Sequence, residues 1–396
     1  MVGFRKLTVS TCALLALVAL KIYIDMTYTF PFDADRQPAA SHAPGNLVAE
    51  LEALQGQDNR STAKLHSLAQ RLRKTVVASD ALWNRKELQL LDSKGLTAWT
   101  CRSDKDSIKD LAAYPHALQH FLLHGGCRNH PTLIDQPSKC SPNKTFLLLA
   151  IKSSPQNFAQ RQAVRNSWGS ERDYGGRPVR LVFLLGVAPG PDLSPLLSYE
   201  NGRFHDLLQW DFMDTFFNLT VKDQMFLGWA RARCPGAAYI LKGDDDVFVR
   251  TPDVVRQLSS MTGQKPRALY MGDVVMAANP YRDPRSKYYI PPSYYVGSYP
   301  PYAGGGGYVF SGILVPWLYL VSQFVAPFPI DDVYAGMCFM ALGVRPVGNP
   351  RFRTFETPGG REVLKCPKQR LLLVHRKSPQ EILKMWGQLT DNVAQC

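Results

Sequence analysis

The chain has 396 residues, 45% of them hydrophobic and 11% aromatic, enough apolar material for one large domain or two ordinary ones and too much for a disordered chain. Its 46 Lys and Arg against 33 Asp and Glu leave +13, which suits an anionic partner such as nucleic acid, a phosphorylated small molecule or an acidic membrane. The basic residues are dispersed, with no run of five or more, so nucleic acid is not the expected partner.

After Arg5 and Lys6, the apolar run from Leu7 and the KIYI that follows it extend about eighteen residues to Ile24, the lower limit for a spanning helix. The stem of Lys21 can lie along such a helix while its amine reaches the headgroups. A cleaved leader would need small residues just downstream, where IYIDMTYTFPF is bulky and aromatic. The expectation is therefore a signal anchor over residues 7–24, with residues 1–6 cytosolic and everything beyond luminal. A span this short suits a thin early-secretory membrane.

Residues 25–80, polar and marked by Pro31, Pro38 and Pro44, read as a luminal stem. Residues 81–143, with HALQHFLLHGGCRNHPTLI, read as an N-terminal luminal subdomain, and residues 144–396 as the main domain. Sequons at Asn59, Asn143 and Asn218 agree with a lumen and are candidate glycosylation sites. Cys101, Cys127, Cys140, Cys234, Cys338, Cys366 and Cys396 lie beyond the anchor without the paired CxxC spacing of a zinc site. Disulfides are expected, with one thiol left over and the pairing open.

Beyond Asn143, short apolar strands alternate with helices, the pattern of an α/β layer structure. FLLLAIKS, Phe146 to Ser153, predicts a buried strand; AQRQAVRNSWG predicts a helix that ends at Gly169; VRLVFLLG and HDLLQWDF predict two more strands. Thr220 opens a helix with Asp223 as its capping-box partner, and AAYILKGDDD is a strand that ends in three aspartates. Ligands of open α/β sheets bind beyond the carboxyl ends of strands, so Asp244, Asp245 and Asp246 fall at the rim of a pocket. Side chains alternate along an extended segment, which turns Asp244 and Asp246 to one side and Asp245 to the other. Two carboxylates facing one way suit a hard divalent ion that also holds phosphate oxygens, Mg²⁺ or Mn²⁺. YPPYAGGGGY keeps four consecutive glycines between tyrosines, which predicts an ordered turn needing close backbone approach or positive φ.

RQAVRNSWG, VFLLG, TFFNLTVKD, KGDDDVFV, YPPYAGGGGYVFSG and PIDDVYAGMC, in this order, resemble the β-1,3-glycosyltransferases of glycosyltransferase family 31. CRNHPTLIDQPSKC, KYYIP, FRTF and LLLVHRKSPQE make the chain most similar to the β-1,3-N-acetylglucosaminyltransferases that extend poly-N-acetyllactosamine, over roughly residues 80 to 396. The resemblance implies a GT-A fold, a Rossmann-like nucleotide-binding half joined to an acceptor-binding half. It also implies Mn²⁺ or Mg²⁺, UDP-GlcNAc as donor, inversion at the anomeric carbon and a Golgi type II membrane enzyme. Glycans on glycoproteins or glycolipids become the expected acceptors, and homo- or hetero-oligomers with other glycosyltransferases are admitted as partners.

Asp246 is then the first metal ligand, with Asp244, and His375 in LLLVHRKS falls where related enzymes place a metal histidine. Lys152, Arg161, Arg165, Asp214, Lys222, Lys242, Asp244 and Asp245 are candidates for the donor site, and Trp168 reads as packing. Tyr288, Tyr289, Tyr302, Gly305 and Gly306 are candidates for the acceptor. In PIDDVYAG the family motif assigns the general base to Asp332, and orientation of the acceptor or helix capping to Asp331. The expected activity is transfer of N-acetylglucosamine in β-1,3 linkage to terminal galactose of N-acetyllactosamine chains. A β-1,3-galactosyltransferase, or a sugar-binding scaffold without catalysis, is the alternative.

Overall fold

The computed structural model describes residues 68, 70–92, 108, 111–140, 145–261, 268–355 and 371–390. The expected anchor, most of the expected stem, Asn59 and Asn143 lie outside the described residues. No helix among the described residues is long and apolar enough to cross a membrane.

The strands are β1 (Thr132–Ile134), β2 (Leu147–Lys152), β3 (Val179–Val187), β4 (Leu207–Met213), β5 (Tyr239–Asp244), β6 (Phe248–Val249), β7 (Tyr270–Val275), β8 (Tyr302–Ser311), β9 (Val347–Gly348), β10 (Phe352–Arg353) and β11 (Leu373–Val374), and β2 to β5 alternate with helices. The helices are α1 (Leu82–Asp92), α2 (His116–His124), α3 (Phe158–Arg165), α4 (Ser194–Phe204), α5 (Leu219–Arg233), α6 (Thr251–Ser259), α7 (Val315–Ser322), α8 (Asp331–Ala341) and α9 (Pro379–Thr390). The large sheet runs β1-β4-β3-β2-β5-β8-β7-β9, and a small sheet runs β10-β11-β6. β2, β3, β4 and β5 are mutually parallel, and β8 runs antiparallel to both β5 and β7.

β2 is buried at all of its positions, as a strand with helices on both faces must be. Leu148 and Ala150 turn toward the cluster built with α1, α2, α5, α7 and α8, whereas Leu147, Leu149 and Ile151 turn toward that of α3, α4, α6 and α9. By this alternation Lys152 emerges on the α8 side. Leu68, Leu72 and Trp83 belong to the same cluster as Met337 of α8, so the chain from Leu68 onward shares the core of the main domain. A disulfide joins Cys140 to Cys234 at the end of α5, and Cys338 is a buried free thiol.

Chain order fixes where a pocket opens. From β2 the chain builds outward through β3 and β4, then returns to place β5 on the opposite side of β2. The carboxyl ends of β2 and β5 are therefore the topological switch point, where the divergence of the connecting segments leaves a crevice.

Three local expectations are corrected. The four glycines do not form a turn: Gly304 to Gly307 lie within β8, and none has positive φ. Opposite them the ladder bulges, three residues of β7 (Gly272 to Val274) spanning six of β8 (Ala303 to Tyr308). Close approach is what requires them: a Cβ on Gly307 would lie 2.3 Å from Leu373 Cδ1, and one on Gly304 2.3 Å from Thr354 Oγ1. Helix α3 ends at Arg165, ahead of Gly169, and Trp168 beyond it is wholly buried. The capping box at Thr220 does not form either, because the Thr220 hydroxyl donates to the Phe328 carbonyl and Asp223 is buried against Lys242.

A stability comparison checks the packing account. Gly307→Ala should lower stability by about 1–3 kcal/mol through overpacking against Leu373. Gly202→Ala in α4, where a Cβ meets nothing within 4 Å, should instead raise it by about 0.4–1 kcal/mol. Melting temperatures that move equally for both would remove close packing as the reason for the run.

Candidate active site

The switch point brings two charged groups together through register alone. Lys152 and Asp244 are partners across the parallel β2–β5 pair, and Lys152 Nζ lies 2.9 Å from Asp244 Oδ1. Burial opposes ionisation of Asp244, yet Lys152 and His375 outweigh it and hold the carboxyl well below the usual range.

The next two aspartates diverge. Asp245 turns inward, where its Oδ2 accepts from Ser153 Oγ at 2.6 Å and Asn157 Nδ2 at 3.0 Å. Burial pushes its carboxyl up to about 6 against the pull of those two bonds. Asp246 remains on the cleft side, and its backbone continues into β6. There the antiparallel pairing of Val374 with Phe248 draws β11 alongside, and the Lys377 N–H donates to the Asp246 carbonyl at 2.7 Å. That register delivers His375 to the acidic pair.

His375 Nδ1 donates to the Thr354 carbonyl at 3.0 Å, which leaves Nε2 facing Asp246 Oδ1 at 3.2 Å and Asp244 Oδ2 at 3.5 Å. Thr354 is fixed in turn by Asp273, whose Oδ2 accepts from its N–H and hydroxyl. A histidine locked at one nitrogen by an acceptor and free at the other is the arrangement of a metal ligand. Burial would depress the imidazole pKa, but the two carboxylates push it up to about 10, so the structure keeps a positive charge between them. Asp246 Oδ1 is buried and receives no well-aligned hydrogen bond. Asp244, Asp246 and His375 offer ligand atoms all within 4.8 Å of one another, and a cation fits this donor set.

Across β8 lies a second acidic pair. Asp332 Oδ2 accepts from the Gly305 N–H at 3.0 Å and Oδ1 from the Val333 N–H at 2.8 Å. Burial, and then the neighbouring Asp331, push its carboxyl up to about 7. Asp331 makes no side-chain cap to α8, which corrects the capping expectation; its Oδ2 instead accepts from Lys152 Nζ at 2.6 Å. Glycines make this possible, since a Cβ on Gly306 would lie 2.7 Å from the His375 ring and one on Gly305 3.3 Å from Asp332.

The other donor-site candidates are held within the chain. Lys222 Nζ binds Asp214 at 2.9 Å and the Ser153 carbonyl at 2.6 Å, and Asp214 also accepts from the Gly186 N–H. Lys242 is paired with Asp223. Arg161 is wholly buried, forked onto Glu200, and donates to Ser153 Oγ at 3.1 Å, so it stands behind Asp245 and not at the cleft surface. Arg165 is held by Asp206 and Glu200 at 2.7 and 2.6 Å. Both are corrected from donor contacts to internal pairs, because Glu200 and Asp206 neutralise them below the sheet edge.

On the acceptor side, Tyr302 is buried beside Asp332, Tyr288 packs edge-on to Phe216, and Tyr289 bridges to Tyr281, which is 62% exposed. Asn218 is 3% exposed and its Nδ2 donates to the Met213 carbonyl at 2.8 Å, so the side chain of this sequon is turned into the domain. The sequence reading overlooked Ser153, Asn157, Glu200, Thr354 and Asp273, which support the site without entering it. Asp273 alone left a signal, a single charge inside the apolar strand YMGDVV.

Comparison with known proteins gives this arrangement its relatives. A family model described as Galactosyltransferase matches residues 159–350. N-acetyllactosaminide β-1,3-N-acetylglucosaminyltransferase 2 of Mus musculus is 46% identical over 294 residues, 73% of this chain and 74% of that one. Acetylgalactosaminyl-O-glycosyl-glycoprotein β-1,3-N-acetylglucosaminyltransferase of Homo sapiens is 43% identical over 301 residues, 72% of this chain and 77% of the relative. UDP-GlcNAc:βGal β-1,3-N-acetylglucosaminyltransferase 8 of Homo sapiens is 38% identical over 405 aligned positions, 97% of each chain. With similarity of this extent along nearly the whole length, the chain belongs to glycosyltransferase family 31, among its β-1,3-N-acetylglucosaminyltransferases.

Proposed function

We propose that the enzyme transfers N-acetylglucosamine from UDP-GlcNAc, in β-1,3 linkage and with inversion, to the terminal galactose of N-acetyllactosamine chains. One observation carries the reading: the acidic cluster with His375 and the carboxylate of Asp332 lie on either side of the glycine run of β8, where a diphosphate and a sugar hydroxyl can meet. A GT-A arrangement, nucleotide half against acceptor half, follows from it. The Golgi lumen is the proposed location, with residues 7–24 as a type II anchor.

Asp332 is the general base. The acceptor 3-hydroxyl loses its proton to this carboxylate as its oxygen attacks the anomeric carbon from the face opposite UDP, so the bond to the diphosphate breaks as the new bond forms. Asp246, His375 and Asp244 would hold a divalent ion, Mn²⁺ or Mg²⁺, which when bound would supply Lewis acidity to offset charge on the departing diphosphate. Thr354 keeps His375 presented through Nε2, and Ser153 with Asn157 fixes the loop at Asp245. Tyr302 beside Asp332, with Tyr288 and Tyr289, would give flat faces for pyranose rings.

Donor and linkage are tested by incubating the detergent-solubilised full chain with UDP-GlcNAc, UDP-galactose and other UDP-sugars on lactosamine, and reading the product by NMR. A β-1,3-linked N-acetylglucosamine is expected; transfer of galactose alone would assign the other donor.

Asp332→Asn should lower turnover by roughly 10²–10⁴-fold while UDP still binds, because the amide keeps the shape and loses the basicity. The wild type should lose kcat/KM as pH falls through about 7, where the Asp332 carboxyl takes up its proton, and reach a plateau above it. A profile flat across that range, or near-normal turnover in a folded Asp332→Asn, rules out this base.

Calorimetry of UDP with Mn²⁺ checks the ion site. Asp246→Ala should abolish metal-dependent binding, and His375→Ala should weaken it by less. Full activity of the wild type in excess EDTA contradicts the metal reading.

A further inference from the structure

The two acidic pairs of the cleft are tied together through a single ammonium group. Lys152 closes β2 and is 4% exposed. Its Nζ contacts Asp244 Oδ1 at 2.9 Å and Asp331 Oδ2 at 2.6 Å, and donates to the Gly305 carbonyl at 3.3 Å. The ammonium thus donates to Asp331 and to the Gly305 carbonyl and pairs its charge with Asp244 as well. The Gly305 peptide passes the restraint on, because its own N–H donates to Asp332 Oδ2 at 3.0 Å.

We propose that Lys152 is a positioning residue that sets the distance between the metal-side carboxylate Asp244 and the base Asp332, acting through Asp331 and the Gly305 peptide, and that it is not a ligand of the nucleotide sugar. The inference rests on the glycosyl-transfer reading of the site. It replaces the donor contact that the sequence suggested for this lysine, since the ammonium is buried and its charge is already shared by two carboxylates and a carbonyl.

The parallel register of β2 with β5 places Lys152 beside Asp244, and strand alternation aims it at the face that α8 covers, where Asp331 begins the helix. Strand, helix and glycine bulge thus meet at one charge. Without it, Asp244 and Asp331 become two carboxylates facing each other in a largely buried space, and their repulsion opens the gap that inverting transfer must keep short. A displacement of about 1 Å at reacting groups costs on the order of 10²-fold in rate.

The test compares Lys152→Met, Asp331→Asn and the double variant in the full chain, by kinetics, by UDP binding in the presence of Mn²⁺ and by melting temperature. Lys152→Met should lower kcat about 10²-fold, with the KM of nucleotide sugar and acceptor each within about threefold of wild type and UDP still bound. The double variant should be no slower than Lys152→Met and should melt higher, because it removes the carboxylate left unpaired. A large rise in nucleotide-sugar KM, loss of UDP binding, or kinetic effects that multiply independently would overturn the assignment. If Lys152→Met does not fold, Lys152→Arg carries the test: a fall in kcat at unchanged KM supports the positioning role, and a rise in KM alone overturns it. Wild-type turnover in the same assays separates this inference from the donor assignment. If only UDP-galactose is used, the comparison is made with that donor; if no sugar is transferred, the binding and melting data still decide.

Discussion

The structure depends on a stretch of chain that has no side chains. At Gly304, Gly305, Gly306 and Gly307 the backbone of β8 is approached closely by Thr354, Asp332, His375 and Leu373, and a methyl group at any of these positions would sit within 3.3 Å of one of them. β8 has His375 against one part of its surface and Asp332, the proposed base, against another. The cost is the loss of side-chain packing and the higher chain entropy of four glycines. The bulge against β7 is how the sheet absorbs the extra backbone.

Electrostatics follows from that geometry. Three lysines of the cleft region are buried, an arrangement that is unfavourable unless each charge is compensated. Lys152 has Asp244 and Asp331, Lys222 has Asp214, and Lys242 has Asp223. Three further carboxylates of the cleft are held otherwise: Asp245 by Ser153 and Asn157, Asp246 facing His375, and Asp332 by backbone N–H groups. Asp246 shares the imidazole of His375 with Asp244, a donor set that suits a cation, and the Asp332 carboxyl is pushed up to about 7, the setting proposed for a base. One chain of contacts thus gives two acidic groups two different chemistries.

Much of this was legible in the sequence wherever periodicity governs the outcome. Strands such as Leu147–Lys152 are apolar throughout because both faces are covered, and the divergence of Asp245 from its neighbours is the period-two alternation of an extended chain. Interactions between distant segments were not legible. The glycine run signalled that something unusual was required, but positive φ and close approach leave the same trace, and the residues that approach come from α8, from the end of β10 and from β11 with the His375 that follows it. Arg161 and Arg165 look like phosphate ligands until Glu200 and Asp206 arrive from α4 and the edge of β4 to neutralise them. Asp223 fits a capping box by spacing, and only β5 reveals that Lys242 claims it.

The enzyme's working parts meet where β5, β6 and β11 bring Asp244, Asp246 and His375 around one point, and the account stands on that point being a cation site. Anomalous scattering from Mn²⁺ in crystals grown with UDP measures it directly. A peak bounded by Asp246 and His375, with Asp244 beside it, is expected. UDP bound in the cleft with no such peak, or with the ion elsewhere, would contradict it.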